Sequence, residues 1–121
     1  MSTRLHHVQI AIPKGGEDTA RAFYAGVLGL EPLSKPDELA GRGGCWFRLG
    51  SLEIHAGADP DFKSPTPKAH LALVVDDLEA MRRRLAEAGA PLESAIAIPG
   101  FDRFYAYDPF GHRIEFMTPA R

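Results

Sequence analysis

Histidine, glutamate, arginine, tryptophan and tyrosine recur in this sequence beside runs of aliphatic residues. His7 precedes Val8-Gln9-Ile10-Ala11-Ile12, and His70 precedes Leu71-Ala72-Leu73-Val74-Val75. Glu53 and His55 bracket Ile54, and Glu115 lies between Ile114 and Phe116. Trp46 and Arg48 flank Phe47, and Arg103 and Tyr105 flank Phe104. Imidazole and carboxylate are the groups that ligate divalent metals and move protons near neutral pH. Arg48 and Arg103 could hold an anionic substrate group, since a guanidinium fork matches carboxylate and phosphate. The competing use of each arginine is an ion pair with a nearby acid such as Glu53.

Chemistry of this kind needs elements that bring the groups to one surface. Side chains on a strand alternate between two faces. Val8, Ile10 and Ile12 then oppose His7, Gln9 and Ala11, and Leu71, Leu73 and Val75 oppose His70. Leu52 and Ile54 oppose Glu53 and His55, and Phe47 and Leu49 oppose Trp46 and Arg48. Phe104 and Ala106 oppose Arg103, Tyr105 and Tyr107, and Ile114 and Phe116 oppose Arg113, Glu115 and Met117. Each sheet gains one apolar face that amphipathic helices can cover. The other face gathers His, Trp and Tyr with few Lys, which a merely wetted face seldom does. His6 falls on the face opposite His7, and His112 falls in a turn where solvation is expected.

The helices follow from a different period. Ala20, Phe23, Tyr24, Val27 and Leu28 form an apolar stripe over residues 17–28, stopped by Gly29. Leu78, Met81, Leu85 and Ala88 repeat it over 78–88, with Asp76 and Glu79 spaced as a capping box and Gly89 as the stop. Strands are expected near 31–33, 45–49 and 52–56, and again near 92–98, 103–107 and 113–118. Gly50-Ser51 suits a hairpin turn, and Asp108-Pro109-Phe110-Gly111 suits another. Residues 36–44 and 58–67 carry Gly, Pro and Asp and read as loops. The chain is therefore a duplicated β-α-β-β-β unit, with module one at about 5–57 and module two at about 68–118 of a single domain spanning 1–121.

Composition excludes several classes. At 121 residues and 45% hydrophobic, the chain can bury a core and is not of disordered type. A net charge of −2 and a pI near 6.2 do not describe a nucleic-acid-binding surface. Arg82, Arg83 and Arg84 form the one basic run, and on a helix they fan out over a solvated face. A single cysteine, Cys45, permits no internal disulfide. No leader-like or membrane-spanning apolar stretch is evident, so a soluble, cytoplasmic protein is expected.

The paired modules, His7-Val8-Gln9-Ile10, Ala22-Phe23-Tyr24 through Leu28-Gly29-Leu30, and above all Asp108-Pro109-Phe110-Gly111-His112-Arg113-Ile114-Glu115 resemble the vicinal oxygen chelate superfamily over about residues 5–118. That superfamily includes glyoxalase I, fosfomycin- and bleomycin-resistance proteins, methylmalonyl-CoA epimerase and extradiol dioxygenases. The resemblance implies an α+β fold in which two βαβββ modules form a curved mixed sheet around a metal-binding cavity, with the helices outside. By position it implies His7, His70 and Glu115 as ligands of one divalent ion (Zn, Ni, Mn, Co or Fe), and Glu115 and His55 as catalytic candidates. Two imidazoles and a carboxylate suit a first-row divalent metal and leave positions open for two adjacent substrate oxygens. Glyoxalase-type members have a glutamate where this chain has His55, which leaves His55 as a fourth ligand, a general base or a pocket residue. Trp46, Arg48, Arg103 and Tyr105 are the expected substrate-binding residues.

The activity implied is a metal-dependent lyase or isomerase of glyoxalase type acting on a small oxygenated molecule. An extradiol-type dioxygenase would use Fe(II) with the same triad, though such enzymes usually have a longer chain. A fosfomycin thiol transferase would also need a potassium loop that finds no convincing match here. The alternative of another class is a non-catalytic, bleomycin-resistance-like binding protein, whose members generally lack the ligand set. Relatives of this length are commonly homodimers, with modules paired within or between chains.

Overall fold

A computed structural model describes all residues from Met1 to Arg121. The chain divides into two compact units, Met1–Lys63 and Ser64–Arg121. In the first, β1 (His7–Pro13) leads into α1 (Glu17–Arg21), which runs on as a π-helical segment (Ala22–Val27). Then follow β2 (Glu31–Leu33), α2 (Asp37–Ala40), β3 (Cys45–Leu49) and β4 (Leu52–Asp59). The second contains β5 (Leu71–Val74), α3 (Leu78–Glu87), β6 (Leu92–Ser94), β7 (Phe101–Tyr107) and β8 (Arg113–Pro119). Each unit holds one four-stranded mixed sheet, ordered β1-β4-β3-β2 in the first and β5-β8-β7-β6 in the second. The first strand of each unit pairs parallel with the last, and the remaining pairs are antiparallel. The module is thus an α+β unit repeated twice, as the duplicated pattern predicts.

The alternation of residue types explains the layering. Ile12, Phe47, Ile54 and Ala56 are buried, α1 contacts β3 and β4, and Ala20, Phe23, Tyr24 and Leu28 of the helical segment are buried as well, with the Tyr24 ring 5.5 Å from that of Phe47. In the second unit, Leu78 and Leu85 of α3 are buried together with Phe104, Ala106, Ile114 and Phe116. The Phe104 and Phe116 rings stack at 5.4 Å. Gly29 and Gly89 end the helical segments at positive φ, 80° and 78°, as expected of helix stops.

Four local expectations need correction. The first helix covers the expected residues, but its second half is wound with five-residue bonds, as in Leu28 N–H donating to the Phe23 carbonyl at 2.9 Å. Six residues are too few for the apolar spacing to separate a π from an α turn. The N-cap of α3 is Asp77, not Asp76: its carboxylate accepts the Ala80 N–H at 3.0 Å. Glu79 then lies too early to complete a capping box and pairs with Arg82 instead. A short helix, α2, interrupts the expected 36–44 loop. Finally, β5 begins at Leu71, so His70 sits just before the strand, and β6 stops at Ser94.

Candidate functional site

In the first unit, cross-strand pairing sets out the polar face in rows. One row reads Gln9, His55, Trp46, Leu33, and the next His7, Glu53, Arg48, Glu31. His55 is the only buried polar residue of this unit. Its ring lies flat on the Trp46 indole, with centroids 3.9 Å apart and planes 4° apart. On its other side it stacks on His7 at 4.1 Å and 13°. Its Nε2 meets Glu53 Oε1 at 2.9 Å, and this bond, chiefly, holds the Glu53 carboxyl below the usual carboxylate range. A carboxylate only accepts, so Nε2 carries the proton and Nδ1 is left as a base.

This stack bears on the His55 alternatives. A metal lies in the plane of an imidazole, along the nitrogen lone pair. Planes only 13° apart with centroids 4.1 Å apart do not converge within a bond of about 2 Å. In this arrangement His55 is a stacking partner of His7 and not its co-ligand. His7 Nδ1 lies 3.0 Å from His6 Nδ1, which leaves Nε2 without a protein partner. Arg48 is half-exposed and pairs with Glu31 at 3.4 Å rather than with Glu53.

In the second unit, Ala72, Glu115, Tyr105 and Glu93 form the corresponding row. Glu115 is buried, and its two oxygens have different partners: Oε1 lies 3.3 Å from His70 Nε2, and Oε2 lies 3.3 Å from Arg103 Nη1. Arg103 is heavily engaged, since it also donates to the Ile96 carbonyl and, at 3.0 Å, to the Tyr105 hydroxyl. Tyr105 meets the His70 ring edge-on at 5.9 Å, and the Arg113 guanidinium lies over the Tyr105 ring at 4.0 Å. Arg113, Tyr107 and Glu93 are mutually bonded neighbours that the sequence reading did not assign to the site. Their alternation placed Tyr107 and Arg113 on this face; only the cross-strand pairing reveals that Glu93 joins them.

His70 carries a further constraint. Its Nδ1 lies 3.2 Å from the Lys68 carbonyl, to which it donates. Its Nε2 lies 3.3 Å from Glu115 Oε1, a contact closed by a proton on Nε2 or by a cation that both atoms ligate. The spacing also suits shared coordination, because two donors each about 2.0–2.2 Å from one ion stand about 3 Å apart. His70 and Glu115 therefore fit a divalent metal. Neither unit by itself gathers three His, Cys, Asp or Glu side chains into a group that could hold one.

Two other groups are accounted for by structure. Asp108 is buried, and its Oδ1 accepts the N–H groups of Phe110 at 2.9 Å and His112 at 2.8 Å. This fixes the turn that starts β8, with Gly111 at φ 95°, and His112 is half-buried there, less solvated than its turn position suggests. Cys45 is buried and its thiol is pushed up chiefly by burial, which makes it a poor nucleophile.

Residues 4–116 match the family model of the Glyoxalase/Bleomycin resistance protein/Dioxygenase superfamily, and the chain belongs to that superfamily. A crystal structure described as a glyoxalase family protein of Bacillus anthracis is 42% identical, with a TM-score of 0.91 over 99% of this chain and 98% of that one. A fosfomycin resistance protein of Listeria monocytogenes shares the fold at 16% identity and a TM-score of 0.80, over 99% and 96% of the two chains. A lactoylglutathione lyase of Agrobacterium tumefaciens does so at 19% and 0.75, over 98% and 95%. No match was found among curated protein sequences. The fold is glyoxalase-like, and no helix is long and apolar enough to cross a membrane.

Proposed function

We propose that this chain is a divalent-metal-dependent enzyme of glyoxalase type, a lyase or isomerase that holds a small substrate through two adjacent oxygens. His7, His70 and Glu115 are its metal ligands, and the two modules serve one domain. The observation that carries this reading is the meeting of an imidazole nitrogen and a buried carboxylate oxygen, His70 Nε2 and Glu115 Oε1, at 3.3 Å. The bound metal would supply Lewis acidity to stabilise a developing enolate or enediolate. The chain's own residues do the rest. Arg103 holds the second Glu115 oxygen and so fixes the direction of the first. His55, with Nε2 held by Glu53, presents Nδ1 as a proton acceptor, and Trp46 keeps its ring in plane. Tyr105 and Trp46 supply substrate contact.

One observation favours a second reading, a non-catalytic binding protein. The Glu115–Arg103 pair already neutralises the carboxylate, which lets the site persist without metal. Elemental analysis separates the two. After dialysis against trace first-row metals without chelator, wild type should retain about one ion per chain, and His70→Ala should lose most of it. Wild type that takes up no ion, or a variant that holds it equally well, sinks the metal enzyme and leaves the binding protein.

The same reading includes a soluble, cytoplasmic homodimer. Light scattering at micromolar concentration should give twice the chain mass, and a monomer mass would remove the dimer.

A further inference from the structure

Beside the aromatic stack of the first unit lies a cavity of about 240 Å³, lined among others by Gln9, Lys35, Leu39, Arg42, Trp46 and Gly57. Two of its wall residues are cationic, and no carboxylate lines it. Gln9 and Trp46 belong to the same cross-strand row as His55, so the cavity borders the candidate site within this unit. Gly57 makes room for it: a Cβ there would stand 2.8 Å from Gln9 Nε2, so glycine lets the Gln9 amide lie across that strand. A water in the liquid occupies about 30 Å³, so the space holds a tetrahedral anion and several further atoms.

The arginines expected to catch an anion are already engaged. Arg48 pairs with Glu31, and Arg103 is divided among Glu115, Tyr105 and the Ile96 carbonyl. Lys35 and Arg42 differ. Lys35 is half-buried and gives one bond to the Gly43 carbonyl, which leaves two ammonium protons. Arg42 is exposed, and its guanidinium makes no bond within the protein; only its backbone N–H is used, toward the Leu39 carbonyl. No acid lines the space; the Glu17 carboxylate, held by the Gly44 N–H at 2.8 Å, lies against Gly43 outside it, close enough for its charge and that of Lys35 to act on each other.

We propose that this cavity is an anion subsite in which Lys35 and Arg42 hold the terminal phosphate or carboxylate of a small molecule whose remaining atoms lie along Gln9 and Trp46. It deepens the proposed function by naming a charged substrate end, and it rests on that reading only for the chemistry at the other end. Arg42 gives the fork that grips the anion, and Lys35 a half-buried point charge behind it.

Trp46 is the sole tryptophan, so its fluorescence reports from the cavity wall itself. The experiment titrates the full chain with inorganic phosphate or with acetate at constant ionic strength, as purified and again after chelator treatment and dialysis. A saturable change in the millimolar range is expected in both preparations, weakened about ten-fold by Arg42→Ala, the loss of one charge-assisted contact. Lys35→Ala should weaken it as well; Arg42 is the cleaner variant because Lys35 also steadies the Gly43 carbonyl. A stronger response to phosphate assigns a phosphorylated ligand, and a stronger response to acetate a carboxylate. No saturable response to either anion, or an unchanged response in Arg42→Ala, overturns the subsite. Anion binding by protein that takes up no metal keeps the subsite and removes the metal enzyme; metal uptake without anion binding does the reverse.

Discussion

Glu115→Ala is expected to lose bound metal and to destabilise the fold by about 3 kcal/mol, the cost of breaking a buried ion pair from one side. The Glu115 and Arg103 side chains are 10% and 11% exposed, so removing the carboxylate strands a guanidinium with little water. The Ile96 carbonyl and the Tyr105 hydroxyl still accept from it, which is why the loss should sit at the low end for such pairs. Glu115→Gln keeps the volume and one hydrogen-bond acceptor but removes the charge. It should therefore lose metal nearly as fully while costing less stability. Urea unfolding of metal-free protein, beside elemental analysis, reads the two effects separately. If Glu115→Ala unfolds at the wild-type midpoint, Arg103 does not depend on this carboxylate and its anchoring role falls.

Gly44→Ala should cost as much or more, for reasons unrelated to chemistry. Gly44 has φ 83°, a region that costs an L residue about 1–2 kcal/mol. Its Cβ would also fall on the Ala56 carbonyl oxygen, well inside contact distance, and that oxygen belongs to β4 backbone that cannot swing away. The Gly44 N–H bond to Glu17 is lost if the loop retreats; it is the main reason the Glu17 carboxyl sits below its ordinary range. A total near 3 kcal/mol is expected, against almost none for Gly41→Ala, where φ is −79° and a Cβ meets nothing within 4 Å. Equal urea midpoints for the two variants would refute the steric account.

Period-two alternation made the faces of β1, β3, β4, β7 and β8 legible, because one methylene-rich face must be covered and the other need not be. That is how His7, His55, Trp46, Arg103, Tyr105 and Glu115 could be assigned to faces before any contact was known. What each side chain binds was not legible. Arg103 reaches a carbonyl seven residues away, at Ile96, and that depends on the path of an irregular segment. Arg48 stands between Glu31 and Glu53 in the register and pairs with Glu31, because the hydrogen bond with His55 Nε2 holds the Glu53 carboxylate. Arg42 lies in the 36–44 stretch read as loop, and Lys35 just before it, where no periodicity states which way a side chain turns; α2 and the positive φ at Gly43 and Gly44 shape the stretch. The choice of Asp77 over Asp76 as cap was beyond reach too, since both precede the same apolar run.

The Asp108 turn limits how this chain can change in length. Its carboxylate spans to the His112 N–H, and the Asp108 N–H closes back on the His112 carbonyl. If one residue gained or lost between Tyr107 and Arg113 were taken up as a slip of β8 on its neighbours, Ile114 and Phe116 would go to the open face and Arg113 and Glu115 would be buried among aromatic rings. Two residues gained or lost would restore the faces but set Arg113 or Met117 opposite Tyr105 in place of Glu115. A change of length here keeps Glu115 opposite Tyr105 only if the turn itself absorbs it and gives up the Asp108 bonds, whereas drift in length in segments such as 60–69 leaves every strand pairing intact.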